Sequence, residues 1–153
     1  MITYCTGNIL DDNAHALVNP VNCVGTSGAG LAKQFAVRFP GFIPEYREDC
    51  CNGLLVPGKI AVYRSFGLGP IIARKPWIVC FPTKQHWRDQ SSLLFISEGL
   101  KSLTSFVKFQ QCSCAIPKLG CGLGGLDWRI VRLLILDAFK DSKTDVRIYG
   151  EAP

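Results

Sequence analysis

Apolar positions along this chain alternate between two patterns. Short, almost continuous apolar runs predict strands at Ile2–Cys5, Ala16–Asn19, Lys59–Tyr63, Trp77–Phe81, Ser113–Pro117 and Val146–Tyr149. Between them, longer stretches with apolar residues at three- and four-residue steps predict helices over Gly30–Phe39, Phe42–Asn52, Ser92–Phe109 and Trp128–Lys140. Ile96, Leu100, Leu103 and Val107 line one face of the third helix, and Val131, Ile135, Ala138 and Phe139 line one face of the fourth. Asp127, just before Trp128, suits an N-cap because its carboxylate can accept first-turn N–H groups. Alternating strands and helices imply a layered α/β fold with a mostly parallel sheet, whose ligands bind beyond the carboxyl ends of the strands. Ser65–Pro76, with Gly67, Gly69, Pro70 and Pro76, reads as a surface loop between two strands.

Two glycine-rich loops each follow a predicted strand and lead into a predicted helix. The first runs from Asn22 through Gly25, Gly28 and Gly30 to Leu31, and the second carries Gly120, Gly122, Gly124 and Gly125 before Asp127 and Trp128. Glycine lets the backbone approach a ligand, and unpaired N–H groups at a helix start attract an anion. Two such loops suit one ligand with two phosphates. The first loop alone is equally a tight turn, whereas four glycines within six residues are harder to explain as turn chemistry. GxxxxGK[ST] is absent, which excludes a P-loop ATPase. The first loop is spaced G-x-x-G-x-G, not G-x-G-x-x-G, and no acidic strand end follows it, which argues against a dinucleotide oxidoreductase.

Composition adds limits. The chain has 153 residues, enough for one domain with a real core, and 48% hydrophobic against 19% charged residues marks a folded protein. There is no apolar run long enough to span a membrane and no secretory signal, so a cytoplasmic protein is expected, or a nuclear one in a eukaryote. The net charge of +5 is compatible with polyanionic partners and equally with a plain solvated surface. The eight cysteines, Cys5, Cys23, Cys50, Cys51, Cys80, Cys112, Cys114 and Cys121, are expected as reduced thiols. With no CxxC pair and only His15 and His86 as imidazoles, no metal is expected.

Thr6-Gly7-Asn8-Ile9-Leu10, Ala16-Leu17-Val18-Asn19-Pro20-Val21-Asn22 and the two glycine loops together resemble a macrodomain, the ADP-ribose-binding fold. The resemblance covers essentially the whole chain, so one domain over residues 1–153 is expected. Val21 to Gly25, Phe81-Pro82-Thr83-Lys84 with His86-Trp87-Arg88, and Gly120 to Trp128 resemble the DNA ADP-ribosyl glycohydrolase antitoxin group (DarG type). The terminal ADP-ribose protein glycohydrolases are the next closest group.

The resemblance implies a three-layer α/β/α fold with a mixed, six-stranded central sheet. It implies that Gly28, Gly30 and Leu31, with Thr83 and with Gly120, Cys121, Gly122, Leu123, Gly124 and Gly125, bind the diphosphate and distal ribose, and that Asn8 and Ile9 meet the adenine. Asn22 would hold distal-ribose hydroxyls and support catalysis, and Lys84 would be the catalytic residue. The implied substrate is ADP-ribose on a base of single-stranded DNA, most often thymine, laid down by a cognate ADP-ribosyltransferase toxin. ADP-ribose is then ligand and product, with no cofactor, no membrane and a monomeric protein. An antitoxin of this group also carries a toxin-neutralising domain after its macrodomain.

The residues themselves carry alternatives. Asn22 can read a sugar, because an amide both donates and accepts, or it can stabilise a turn. Lys84 can act as a nucleophile, which requires the neutral amine, or as a charge that stabilises the departing base. His86, Trp87 and Arg88 form a basic, aromatic lip suited to a single-stranded nucleic acid, although Trp87 could also be a partly exposed core anchor.

Two positions depart from the family pattern. Asn8 stands where many macrodomains have Asp, and Gly124 stands where the protein-directed relatives place a catalytic Asp. The second departure favours DNA as the target over ADP-ribosylated acidic side chains or O-acyl-ADP-ribose. A binding module that reads ADP-ribose without chemistry would need no Lys84.

Overall fold

The computed structural model describes residues 1–65 and 75–153. Most of the predicted Ser65–Pro76 loop, residues 66–74, therefore lies outside the described residues. The described elements are β1 (Ile2–Cys5), β2 (Ala16–Val21), α1 (Gly30–Arg38), α2 (Ile43–Cys51), β3 (Ala61–Arg64), β4 (Trp77–Pro82), α3 (Leu93–Gln110), β5 (Cys114–Pro117), α4 (Trp128–Phe139) and β6 (Val146–Tyr149). Single 3-10 turns at Ile9–Asp11 and Pro40–Phe42 were not anticipated by the periodicity. Each is too short to show a repeat.

The six strands form one mixed sheet in the order β1-β6-β5-β2-β4-β3. All pairs are parallel except β3 with β4. The central strands read as continuous apolar runs because both faces are covered. Val18, Val79, Phe81 and Ile116 pack with Ile96, Leu100 and Leu103 of α3 and Val131 and Ile135 of α4 on one face. Leu17, Ile78, Cys80 and Ala115 face Phe35 of α1, Phe42 of the Pro40–Phe42 turn and Tyr46 of α2 on the other. The period-2 alternation thus feeds two cores, one on each side of the sheet.

Capping residues set where the helices begin. The Ser92 side chain accepts from Leu94 N–H at 3.2 Å to open α3, and Asp127 accepts from Arg129 N–H at 2.9 Å to open α4. α3 stops at Gln111, which adopts the left-handed conformation with φ 50°.

One irregularity of the sheet creates the cleft. β2 pairs with β5 only through Ala16↔Cys114 and Leu17↔Ala115, while its pairing with β4 continues through Pro20↔Phe81 to Val21↔Pro82. Pro20 has no N–H to offer β5. The chain leaves β2 for α1 on one face and leaves β5 for α4 on the other. Diverging strand ends with helices departing to opposite faces are where an α/β sheet opens a binding crevice.

Candidate active site

A cavity of about 1030 Å³ occupies this crevice. Both glycine loops line it, through Gly28, Gly30 and Leu31 on one side and Gly120, Gly122, Leu123 and Gly124 on the other. Asn8, Ile9 and Asn22, together with Thr83, Lys84 and Trp87, complete the part of its wall that the sequence pointed to. Cys121, Gly125, His86 and Arg88 stand outside the wall. The Cys121 thiol turns inward, contacts the carbonyl of Leu119 at 3.3 Å and packs against the core. Burial pushes that thiol up to about 11 despite the nearby Lys118.

Asn22 builds the first loop. Its Oδ1 accepts from Val24 N–H at 3.1 Å and Thr26 N–H at 3.4 Å, and its Nδ2 donates to the Thr26 carbonyl at 2.9 Å. The buried Tyr46 hydroxyl donates to the Asn22 carbonyl at 2.8 Å from below. The side chain therefore serves as the brace of the turn, while one Nδ2 hydrogen remains for the cavity. Ala29 caps α1 without any side-chain bond, so the first-turn N–H groups beyond Gly30 stay open to an anion.

The second loop works differently. Asp127 already satisfies the start of α4, so that helix end is not the anion site. Leu126 N–H closes onto the Gly120 carbonyl at 2.9 Å and Gly125 N–H onto Gly122 at 3.1 Å. Among the described residues, the N–H groups of Gly122, Leu123 and Gly124 take no main-chain partner, which makes a concave nest of donors. Gly120 holds a positive φ of 70°, and a Cβ on Gly124 would overlap Ser91 Oγ and come within 2.5 Å of the Gly120 carbonyl oxygen. No side chain fits at 124 in this backbone, so an acid there is sterically barred.

Lys84 projects from the turn after β4. Thr83 N–H donates to the Val21 carbonyl at 3.1 Å and Cys23 N–H donates to the Gln85 carbonyl at 2.8 Å. These bonds flank Lys84 and press its turn against the first glycine loop. Lys84 is half-buried, and no carboxylate pairs with it among the described residues. Next to it, His86 Nδ1 accepts from Arg88 N–H at 3.1 Å, and Asp89 caps the turn through His86 N–H at 2.9 Å. The Trp87 ring is 48% exposed, 5.3 Å from the His86 ring, with the Arg88 guanidinium 4.7 Å from its centroid. It is an open aromatic face at the mouth of the cavity and not a core anchor.

Several lining residues had no sequence signal of their own. Tyr149 ends β6, and its hydroxyl donates to Asp12 Oδ2 at 2.6 Å. Its position at a strand carboxyl end was the available clue. Lys118 reaches the wall while paired with Glu151 at 3.0 Å. Ser91 lies beneath the second loop, and nothing in its polar surroundings marks it. All eight cysteines are free thiols. Among the described residues no cluster of His, Cys, Asp or Glu is arranged to hold a metal ion, and no helix is long and apolar enough to cross a membrane.

A glycine-walled crevice at a sheet switch point, with a lysine on its edge, is a place where an α/β fold can receive an anionic ligand. The Macro domain family profile matches residues 18–135, and this chain belongs to that family. A DNA ADP-ribosyl glycohydrolase of Mycobacterium tuberculosis is 42% identical over 142 residues, covering 92% of this chain and 39% of that protein. The solved macrodomain of Mycobacterium tuberculosis DarG superimposes with a TM-score of 0.90 at 40% identity, covering 99% of both chains. A Thermosipho africanus DNA ADP-ribosyl transferase–DNA ADP-ribosyl glycohydrolase fusion protein is 32% identical over 94% of this chain and 40% of its own length. The solved DarTG of that organism, in complex with ADP-ribose, gives a TM-score of 0.86 at 30% identity over 99% of this chain and 43% of that one. This chain spans about two fifths of the length of the DNA ADP-ribosyl glycohydrolases it matches.

Proposed function

We propose that this chain is an ADP-ribosyl glycohydrolase that removes ADP-ribose from DNA bases, with thymine in single-stranded DNA as the substrate base. The observation that carries this reading is the placement of Lys84 in the wall of the cavity that both glycine loops line, beside the exposed Trp87. The loop N–H groups suit a diphosphate, and the Trp87 face beside the Arg88 cation suits a nucleobase and its backbone. A module that only reads ADP-ribose has no use for the lysine. A hydrolase that pairs lysine with an acid in the second loop is disfavoured by the packing at Gly124.

In this reading Lys84 acts at the anomeric carbon of the distal ribose. The bond from that carbon to the base breaks, the electron pair leaves with the base, which takes up a proton, and water supplies the oxygen that ends on carbon. Asn22 keeps the first loop in place and offers its remaining Nδ2 hydrogen to a ribose hydroxyl. Similarity to a fused transferase and glycohydrolase supports a cognate ADP-ribosyltransferase toxin as the enzyme whose product this chain consumes.

A gel assay on a single-stranded oligonucleotide carrying one ADP-ribosylated thymine tests the proposal. Release by the wild type and none by Lys84→Ala is expected. No release by the wild type, with ADP-ribose still bound in calorimetry, would overturn the DNA-directed reading.

A further inference from the structure

Ser91 immediately precedes the cap of α3, and its side chain is inserted into the second glycine loop. Its N–H donates to the Gly124 carbonyl at 3.0 Å, and its Oγ lies beneath Gly120 and Gly124, in the space their side chains would need. Ser91 is 8% exposed, it lines the cavity, and its hydroxyl has no hydrogen-bond partner among the described residues. Buried hydroxyls are nearly always paired, and an unpaired one destabilises the fold that holds it. An alanine would fill almost the same volume without that cost. The unpaired hydroxyl also sits under the loop whose Gly122, Leu123 and Gly124 N–H groups lack main-chain partners. At this loop, unpaired main-chain donors and an unpaired buried hydroxyl therefore lie side by side.

We propose that Ser91 is a positioning residue for the diphosphate ligand: its hydroxyl gains a partner only when the second glycine loop folds onto the bound ligand. Free protein holds the loop with Ser91 unsatisfied. When the loop donors turn to phosphate oxygens, the shift of Gly120 and Gly124 uncovers Oγ to a loop or ligand oxygen. Pairing of the hydroxyl then favours the ligand-bound loop over the free one, so Ser91 contributes to affinity although it adds nothing to the stability of the free protein. The inference rests on the reading that the cavity takes ADP-ribose.

The test compares wild type with Ser91→Ala in the full chain by three measurements. These are thermal unfolding without ligand, calorimetric titration with ADP-ribose, and hydrogen exchange of residues 120–125 at saturating ADP-ribose. Expected are an unchanged or higher Tm without ligand, a Kd raised about tenfold, and weaker loop protection in the complex. An unchanged Kd overturns the inference while leaving the proposed function intact. A lower ligand-free Tm also overturns it, because the hydroxyl would then already have a partner in the free protein. A wild type that does not bind ADP-ribose removes the proposed function and this inference with it.

Discussion

The main-chain N–H of Cys23 donates to the carbonyl of Gln85 at 2.8 Å, and this bond joins the first glycine loop to the turn that carries Lys84. With Thr83 N–H on the Val21 carbonyl, it extends the β2–β4 pairing past the end of the sheet. Lys84 and Asn22 are therefore held as one unit, on main-chain bonds that do not depend on either side chain. The lysine can be changed without moving the loop, but the loop cannot be disturbed without moving the lysine.

Lys84→Ala is accordingly expected to abolish release of ADP-ribose from DNA while leaving ADP-ribose binding and Tm near wild type. Calorimetry and the gel assay together check this. Borohydride added during turnover separates the two modes of action: an adduct on Lys84 identifies covalent attack, and its absence with full activity identifies electrostatic stabilisation of the leaving base.

Asn22→Ala behaves differently. Removing the brace frees the N–H groups of Val24 and Thr26 and the Thr26 carbonyl inside a partly buried turn. The expected loss is about 1–3 kcal/mol of stability, accompanied by weaker ADP-ribose binding and slower turnover. Denaturant unfolding measures the first, and an unchanged midpoint would show that the asparagine acts on ligand alone.

Trp87→Ala tests the lip. Base stacking on an aromatic face contributes about 1–3 kcal/mol, so the DNA-linked substrate is expected to bind correspondingly more weakly, with affinity for free ADP-ribose retained. Equal loss for both ligands would place Trp87 on the ADP-ribose rather than on the DNA.

Much of this site was legible because its parts are local. Glycine spacing, the Asp127 cap and a lysine in a polar turn are visible within a dozen residues. All of the strands and helices expected in the described residues are present, with ends displaced by a residue or two. β2 runs on through Pro20 and Val21, two residues past the expected end at Asn19, because the β5 side of the strand is already unpaired there and proline loses nothing. The features that escaped the sequence depend on distant partners. Ser91 meets Gly120 and Gly124 some thirty positions away, and Tyr149 meets Asp12 from the opposite end of the chain. The turn-stabilising reading of Asn22 was legible because its bonds to Val24 and Thr26 are local, whereas its support by Tyr46 depends on the packing of α2.

Asn8 caps the 3-10 turn by accepting from Leu10 N–H at 3.0 Å, a role aspartate fills equally well. Asn8→Asp should therefore fold normally. If this residue meets the adenine amino group, the added charge strengthens that hydrogen bond, and ADP-ribose affinity is expected to rise about three- to tenfold. Unchanged affinity by calorimetry would remove Asn8 from the adenine contact.

Asp12 links the ligand cavity to the stability of β6. Burial pushes its carboxyl up, but the Tyr149 hydroxyl, the Ala14 N–H and the Arg147 guanidinium outweigh this and hold it below its ordinary value of 3.8. Those bonds measure 2.6, 2.6 and 2.7 Å. A depressed folded value means that the carboxylate's contribution is present in full above the unfolded value. It is lost as pH falls through the folded one. Asp12→Asn is thus expected to cost about 1–3 kcal/mol near pH 7. The gap from wild type should narrow below about pH 4 and close as the wild-type carboxyl protonates. Because Tyr149 lines the cavity, the same substitution should weaken ADP-ribose binding at neutral pH. Unfolding midpoints of both proteins from pH 7 down to the lowest pH at which the fold survives check the sign. A gap that stays constant over that range would show that the stabilisation comes from packing and not from the charge.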